Sequence, residues 1–360
     1  MTKNATYATF KTSGGATIHR LPLEAFPNFW AYVYLVAMDD LRVLIDSGSG
    51  TEASHKNLLE GFDRAGIRPS DLTHILLTHA HIDHYGGLRQ LKPLTNARIG
   101  VHELDAQTVA HHDARLALIS RRLASFLAES GLAEETRDQL LGIYRLAKAL
   151  YQSVPVDFTY ESLNMRFGSF EMIHLPGHCP GHVAIRLEDV VFCGDMVVEG
   201  VTPHLSPESI NPYSGLDHYL DSLARLQHWV DGARLILNGH DDAFTDLPAR
   251  IEATHQNLIR RMSKAVDAMG EPLTIAEVCN AVYGGTGGYQ QLLILEKTGA
   301  YVEYLYERGI IEITNPAEVE QGLPARYRCL KDDAVMQLEK DVNRYTRTQV
   351  DKETSTRVNT

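Results

Sequence analysis

The sequence predicts an α/β fold, and three features carry that expectation. Apolar β runs alternate with stretches of helical periodicity from Trp30 to about Leu237, the alternation that builds layered sheets and helices. Strand after strand then ends in a turn that bears a histidine or an aspartate. Composition agrees: 360 residues, 44% hydrophobic and 22% charged, are ordinary globular values with room for two domains, or for one large domain with an appendage.

The N-terminal part reads as β, with strands at Thr6–Lys11, Thr17–Leu21 and the apolar run Trp30–Met38. Asp39-Asp40 makes a turn, and Leu41–Ile45 returns as the second arm of a hairpin. That arm ends in Asp46-Ser47-Gly48-Ser49-Gly50, a loop that uses the backbone freedom of glycine. Ala53–Ala65 has helical periodicity and is closed by Gly66 and Pro69. The strand Thr73–Leu77 leads into Thr78-His79-Ala80-His81-Ile82-Asp83-His84, then Gly86-Gly87, a helix, and the short strand Ala97–Val101.

From about His102 to Pro155 the pattern turns helical. Leu116, Ile119, Leu123, Phe126 and Leu127 fall at three-to-four residue spacing, as do Leu140, Ile143, Tyr144 and Ala147. A helical hairpin broken near Ser130-Gly131 is expected, either thickening the core or serving as a lid. β rhythm resumes with Phe170–Leu175, Val183–Leu187 and Val190–Cys193, followed by helix Gly215–Trp229, strand Arg234–Leu237 and the long helix Leu247–Met269. Beyond it come Leu273–Tyr283, opening on a capping box of Thr274 and Glu277, then Leu292–Gly309 and a ribbon of Ile310–Ile313 with Ala325–Cys329. Helix, helix, ribbon is the outline of a winged-helix-like module. Asp332–Thr346 reads as a last helix, and the polar tail DKETSTRVNT as frayed.

The chemistry concentrates in His79, His81, Asp83 and His84. A strand alternates its side chains, so His79 and His81 point the same way and can grip one ion, while Asp83 and His84 face a second position after the chain turns. Imidazole and carboxylate suit zinc, and also iron or manganese. Three later strand ends supply further donors. In Leu175-Pro176-Gly177-His178-Cys179-Pro180-Gly181-His182 the prolines and glycines exclude a helix. A rigid loop presenting His182 is expected, with His178 behind it or in packing. Asp195 follows the strand Val190–Cys193, and its two oxygens could bridge two ions; His240 follows Leu235-Ile236-Leu237. Tyr85 and His204 lie near these motifs and, with His178, are candidates for support or substrate contact, although buried hydrogen-bonded packing explains them equally well. His19, His55, His111, His112, His218, His228 and His255 receive no role.

HxHxDH, a GHxPGH loop, GD after a strand and GH after a strand, in that order from Trp30 to about Asp241 and with the Val43–Gly48 turn, resemble the metallo-β-lactamase superfamily. The resemblance implies an αββα sandwich with its site at the sheet edges, carrying here a helical insertion at about 103–155 and a small C-terminal winged-helix-like domain. It implies one metal on His79, His81 and His182, a second on Asp83, His84 and His240, and Asp195 bridging the two. Two divalent ions are expected, zinc before iron or manganese. A hydroxide shared between such ions exists at neutral pH and attacks a carbonyl or phosphoryl centre. Asp83 would orient it and pass its proton to the leaving group.

The expected organisation is a catalytic part at 1–246, a linking helix with the winged-helix-like module at 247–330, and a terminal helix with tail at 331–360. The winged-helix-like end resembles a superfamily branch that includes endoribonucleases. Charge opposes that reading: 46 acidic against 34 basic residues give a net −12, and Glu271–Leu330 carries eight acidic against four basic, the wrong sign for phosphates. A small-molecule ester, thioester or lactone is the favoured substrate, as in the glyoxalase-II-like and lactonase branches. A metal-dependent endoribonuclease or phosphodiesterase is the alternative, and a non-catalytic binding or regulatory protein the third class. The C-terminal module would then serve packing or homodimerisation. The N-terminus lacks the apolar core of a signal peptide, and no stretch approaches the roughly 18 apolar residues of a membrane span. Cys179, Cys193, Cys279 and Cys329 form no CxxC pair, which points to a reduced, cytoplasmic, membrane-free protein.

Overall fold

The structure is a computed structural model that describes residues 5–330 and 333–347. It divides into two compact units. Among the described residues, the first comprises 5–116, 148–199 and 229–247; the second comprises 117–147, 200–228, 248–330 and 333–347. Residues 117–147 and 200–228 group with the C-terminal part.

Two sheets make the first unit. The larger holds β1 (Ala8–Lys11), β2 (Thr17–Phe26), β3 (Phe29–Met38), β4 (Leu41–Ile45), β5 (His74–Leu76), β6 (Arg98–Val101) and β7 (Phe158–Thr159) in chain order. Neighbours are antiparallel from β1 to β4 and parallel from β4 to β7. A parallel neighbour needs a crossover, and helix α1 (Glu52–Ala65) makes the one from β4 to β5. Thr51 caps its start by accepting from the Ser54 N–H, and Gly66, in the left-handed region at φ 67°, ends it. β2 is longer than the sequence suggests, because Pro22 lies past the stretch of β2 that β1 covers and removes no hydrogen bond on that edge.

The smaller sheet holds β8 (Arg166–Phe167), β9 (Phe170–His174), β10 (Val183–Leu187), β11 (Val190–Phe192) and β12 (Leu235–Leu237), with only β11 and β12 parallel. Tyr32, Tyr34 and Val36 of β3 join Ile18, Val43 and Ile45 against Phe170, Val183, Ile185 and Phe192 of the other sheet. The alternate residues Val33 and Leu35 face outward against Leu58 and Phe62 of α1. β3 is thus buried on both faces, which is why its sequence is a continuous apolar run and not an alternating one. The sandwich places the C-terminal ends of β4, β5, β11 and β12 where their loops meet. The short helices α2 (Ile82–Tyr85), α3 (Leu88–Leu91) and α4 (Glu103–Ala110) follow β5 and β6.

The second unit is mostly helical. α5 (His112–Glu129) runs into it from the first, followed by α6 (Glu134–Lys148), α7 (Leu216–Trp229) and α8 (Leu247–Ala268). The insertion is three helices, α4 to α6, where a hairpin was expected. The extra break lies at His111, whose backbone leaves helical geometry. The expected break at Ser130-Gly131 is present: Gly131 has φ 87°, and a Cβ there would lie 2.7 Å from Thr274 Cβ. α9 (Ile275–Tyr283), α10 (Gly288–Glu307), β13 (Ile311–Ile313), α11 (Pro316–Val319) and β14 (Tyr327–Cys329) complete the module, with β13 and β14 antiparallel. Thr274 and Glu277 form the expected capping box. α12 (Ala334–Arg347) closes the described chain, and the tail DKETSTRVNT lies outside the described residues. Among these residues no helix is long and apolar enough to cross a membrane, and all four cysteines are free thiols.

Candidate metal centre

Six of the seven expected donors converge where the strand ends meet, and His178 joins them. His79, His81 and His178 place ring nitrogens within 4.8 Å of one another; Asp83, His84 and His240 form a second such group, and Asp195 lies between with His79 and His84. The His178 and His79 Nε2 atoms are 3.3 Å apart. Asp195 Oδ2 lies 3.6 Å from His178 Nε2, 3.9 Å from His79 Nε2 and 3.0 Å from His240 Nε2. Asp83 Oδ2 lies 3.8 Å from His84 Nε2 and 3.6 Å from His240 Nε2.

The histidines are held from behind, and this determines which nitrogen faces inward. Asp46, on the positive-φ turn after β4, accepts from the Thr78 backbone N–H at 2.7 Å and from the Thr78 hydroxyl at 2.8 Å. Having donated its only proton, that hydroxyl must accept from His79 Nδ1, 3.0 Å away. His84 Nδ1 donates to Asp46 at 2.8 Å, and His240 Nδ1 donates to the Trp30 carbonyl at 2.8 Å. Each Nε2 of a neutral ring therefore turns a lone pair toward carboxylate oxygens. Lone pairs facing lone pairs repel unless a cation lies between them. His84 Nε2 and Asp195 Oδ1 show this most plainly, both buried and both without a hydrogen-bond partner. The donor set thus fits divalent metal.

With the protein groups alone, protons on the rings take the part of the cation. Burial opposes charge on His240, yet Asp195 outweighs it and pushes that ring up to about 9. Burial also opposes the Asp195 carboxylate, but His240 and His84 hold it well below the usual carboxylate range. His79 is driven well below the ordinary histidine value by burial and then by the neighbouring imidazoles of His84 and His81.

Of the two histidines in the glycine-proline loop, His178 and not the expected His182 stands among the grouped donors. His178 reaches the donor set, whereas His182 Nε2 accepts the Asp195 backbone N–H at 3.1 Å. Gly194 makes this approach possible, since a Cβ there would lie 2.5 Å from His182 Nε2. His182 directly precedes β10, and its Nε2 is occupied by the Asp195 backbone N–H. Tyr85 is buried and bonds His112 Nδ1 through its hydroxyl at 2.7 Å, with His112 Nε2 donating to the Lys148 carbonyl at 2.9 Å. His204 belongs to the second unit, where its Nε2 is 3.2 Å from Glu296 Oε2.

Sequence reasoning missed the supporting acids. Asp46 had a visible signal in its Asp-Ser-Gly turn. Asp105 had none: it is buried on α4 and accepts from the Ala80 N–H at 2.8 Å, the Gly181 N–H at 3.0 Å and the Cys179 thiol at 3.2 Å. It thereby ties the histidine-rich loop after β5 to the glycine-proline loop.

The sequence model of the metallo-beta-lactamase superfamily matches residues 31–240, the span that contains every residue of this centre. The chain belongs to the metallo-beta-lactamase superfamily. Among its relatives in the superfamily is a probable metallo-hydrolase of Bacillus subtilis, YqjP, 24% identical over 287 residues, covering 76% of this chain and 86% of the relative. A hydroxyacylglutathione hydrolase of Xylella fastidiosa is 28% identical over 174 residues, and that match covers 48% of this chain and 47% of the relative. A solved metallo-beta-lactamase family protein of Thermus thermophilus aligns with TM-score 0.67 and 25% identity, covering 87% of this chain and 98% of the other. A beta-lactamase domain protein of Burkholderia ambifaria aligns with TM-score 0.69 at 21% identity, over 89% and 94%, a likeness of fold.

Proposed function

We propose that this chain is a metal-dependent hydrolase of small carbonyl compounds: esters, thioesters or lactones. The observation that carries the reading is the buried, partnerless pair of His84 Nε2 and Asp195 Oδ1 between two three-residue donor groups. His79, His81 and His178 would hold one divalent ion, Asp83, His84 and His240 a second, and Asp195 would serve both, with zinc the first expectation and iron or manganese acceptable to the same donors. When bound, such ions acidify water and polarise an electrophilic oxygen.

The chain's own residues do the remainder. Asp46, Thr78 and the Trp30 carbonyl lock three imidazoles with Nε2 inward, so little reorganisation is left for the reaction. Asp83 is the most exposed carboxylate of the centre, its side chain 13% accessible against 8% for Asp195. It is therefore placed to orient the attacking water and pass a proton to the leaving group.

Three observations support the substrate class. The Xylella relative is named a hydroxyacylglutathione hydrolase. Leu118, Leu146 and Leu150 of the insertion stay exposed, apolar surface of the kind that pairs with an apolar acyl compound and not with a polyanion. The module from α9 to β14 is net acidic, which disfavours nucleic acid. Its helix, helix, ribbon order is winged-helix-like and keeps phosphodiesters as the second reading. The decisive experiment is a panel of chromogenic esters, thioesters, lactones and phosphodiesters with metal-loaded protein. Turnover of carbonyl substrates that chelation abolishes is the expected result; turnover of phosphodiesters alone overturns the substrate class, and well under one metal per chain after growth with zinc, iron or manganese overturns the centre.

A further inference from the structure

Two neighbouring cations of the second unit have no anionic partner among the described residues. Lys297 on α10 donates from Nζ to the Thr202 carbonyl at 2.6 Å and forms no ion pair with any carboxylate among the described residues. Arg261 on α8 stands over the Tyr283 ring at 4.7 Å, with Nη1 3.4 Å from the Val282 carbonyl, and likewise forms no carboxylate pair among them. Both side chains are partly accessible, so solute can reach them. Taking a cation out of water without a counter-charge is costly, and such a group is retained where something supplies that charge.

The surroundings are donors. Tyr301 lies one turn beyond Lys297 on the same face of α10. Its side chain is fully buried, and its hydroxyl lies beside the hydroxyls of Tyr283 and Thr202. Asn257 lies one turn before Arg261 on α8 and reaches Thr202 Oγ1 with Nδ2 at 3.5 Å. Thr202 thus links the two helix faces. An ammonium with two unused N–H groups, a guanidinium fork, a buried phenol and an amide, gathered around Thr202 and Tyr283, make a recognisable set. All four can donate to one oxyanion.

We propose that Lys297, Arg261, Tyr301 and Asn257 form an oxyanion site for the carboxylate or phosphate group of a small molecule. It stands independently of the metal centre. Burial and then the Arg261 charge push Lys297 down to about 8, so its positive charge, and with it part of the anion affinity, is lost as pH rises through that value.

The test is titration calorimetry and thermal shift on the full chain, metal-loaded and chelator-treated, with succinate and, separately, inorganic phosphate. Chloride at matched ionic strength is the control. Saturable binding of either anion in both preparations is expected, and the stronger of the two identifies the group. Lys297→Met should weaken it about tenfold or more, near 1.4 kcal/mol, and Tyr301→Phe several-fold. Neither anion binding above chloride, or Lys297→Met binding as tightly as the parent, overturns the site. Should Lys297→Met fail to fold, the parent's succinate affinity is followed with pH. A fall on crossing about 8 supports the site, and a flat profile overturns it. Because chelated protein is included, failure here is distinct from failure of the metal reading.

Discussion

His84 Nε2 and Asp195 Oδ1 face one another 3.4 Å apart, both buried and neither hydrogen-bonded. With Nδ1 of His84 already committed to Asp46, only a second ring proton or a metal ion can fill that gap, and the Asp195 and Asp46 charges favour either against the cost of burial. Asp195→Asn keeps the shape and removes the charge. We expect metal content by elemental analysis to fall by at least one ion per chain and hydrolysis to fall by more than about 100-fold, beyond the loss typical of a supporting partner. Full metal content in the variant would refute the shared role.

His178 and His182 separate cleanly by metal content. His178→Ala should lose an ion, because its Nε2 lies among the donors. His182→Ala should retain both, weakened only through the Asp195 backbone it supports. The reverse order would return His182 to the donor set.

Asp46→Asn tests support from behind. The amide offers one acceptor where the carboxylate offered two, so it cannot serve His84 Nδ1 and both Thr78 donors. Metal affinity measured by competition with a chelator should drop about 10- to 100-fold with little change in fold. An unchanged affinity would show that the rings orient themselves without it.

Asp105→Ala should act on stability. It strands the buried N–H groups of Ala80 and Gly181, each costing about 1–3 kcal/mol when unsatisfied. Denaturant unfolding of chelated protein isolates this from metal loss, and a change below about 1 kcal/mol would mean that water replaces the carboxylate.

Glu303 supplies a pH dependence. Burial, then the nearby Glu307, Glu208 and Asp217 charges, push it up from 4.5 to about 7. The folded state therefore holds a proton that the unfolded chain has released, and this contribution is present below about 4.5 and lost as pH rises through about 7. Glu303→Gln retains an acceptor for the Glu208 N–H without the charge. Its melting temperature should exceed the parent's above pH 7 and match it in acid; a difference independent of pH would count against the burial account.

Much of the first unit could be read along the chain because its signals are local. β3 announces itself as one apolar run, α1 by Thr51 and Gly66, α9 by its capping box. Strand ends carrying His79, Asp195 and His240 are legible for the same reason, since a turn after a strand needs polar or glycine residues wherever it occurs. Element boundaries shifted where pairing intervened, as when β2 extended through Pro22 beside β3.

By itself the sequence determined which strands end in metal-binding side chains and in what order, because strand periodicity and turn chemistry act over a few residues. The approach of His178 to the other donors, the support of His79 and His84 by Asp46, and the clasp of two loops by Asp105 were decided only when the sheets came together. Those choices depend on contacts between residues as far apart as Asp105 and Gly181. No short-range pattern encodes such contacts, since the packing of two sheet edges settles which buried polar groups find a partner.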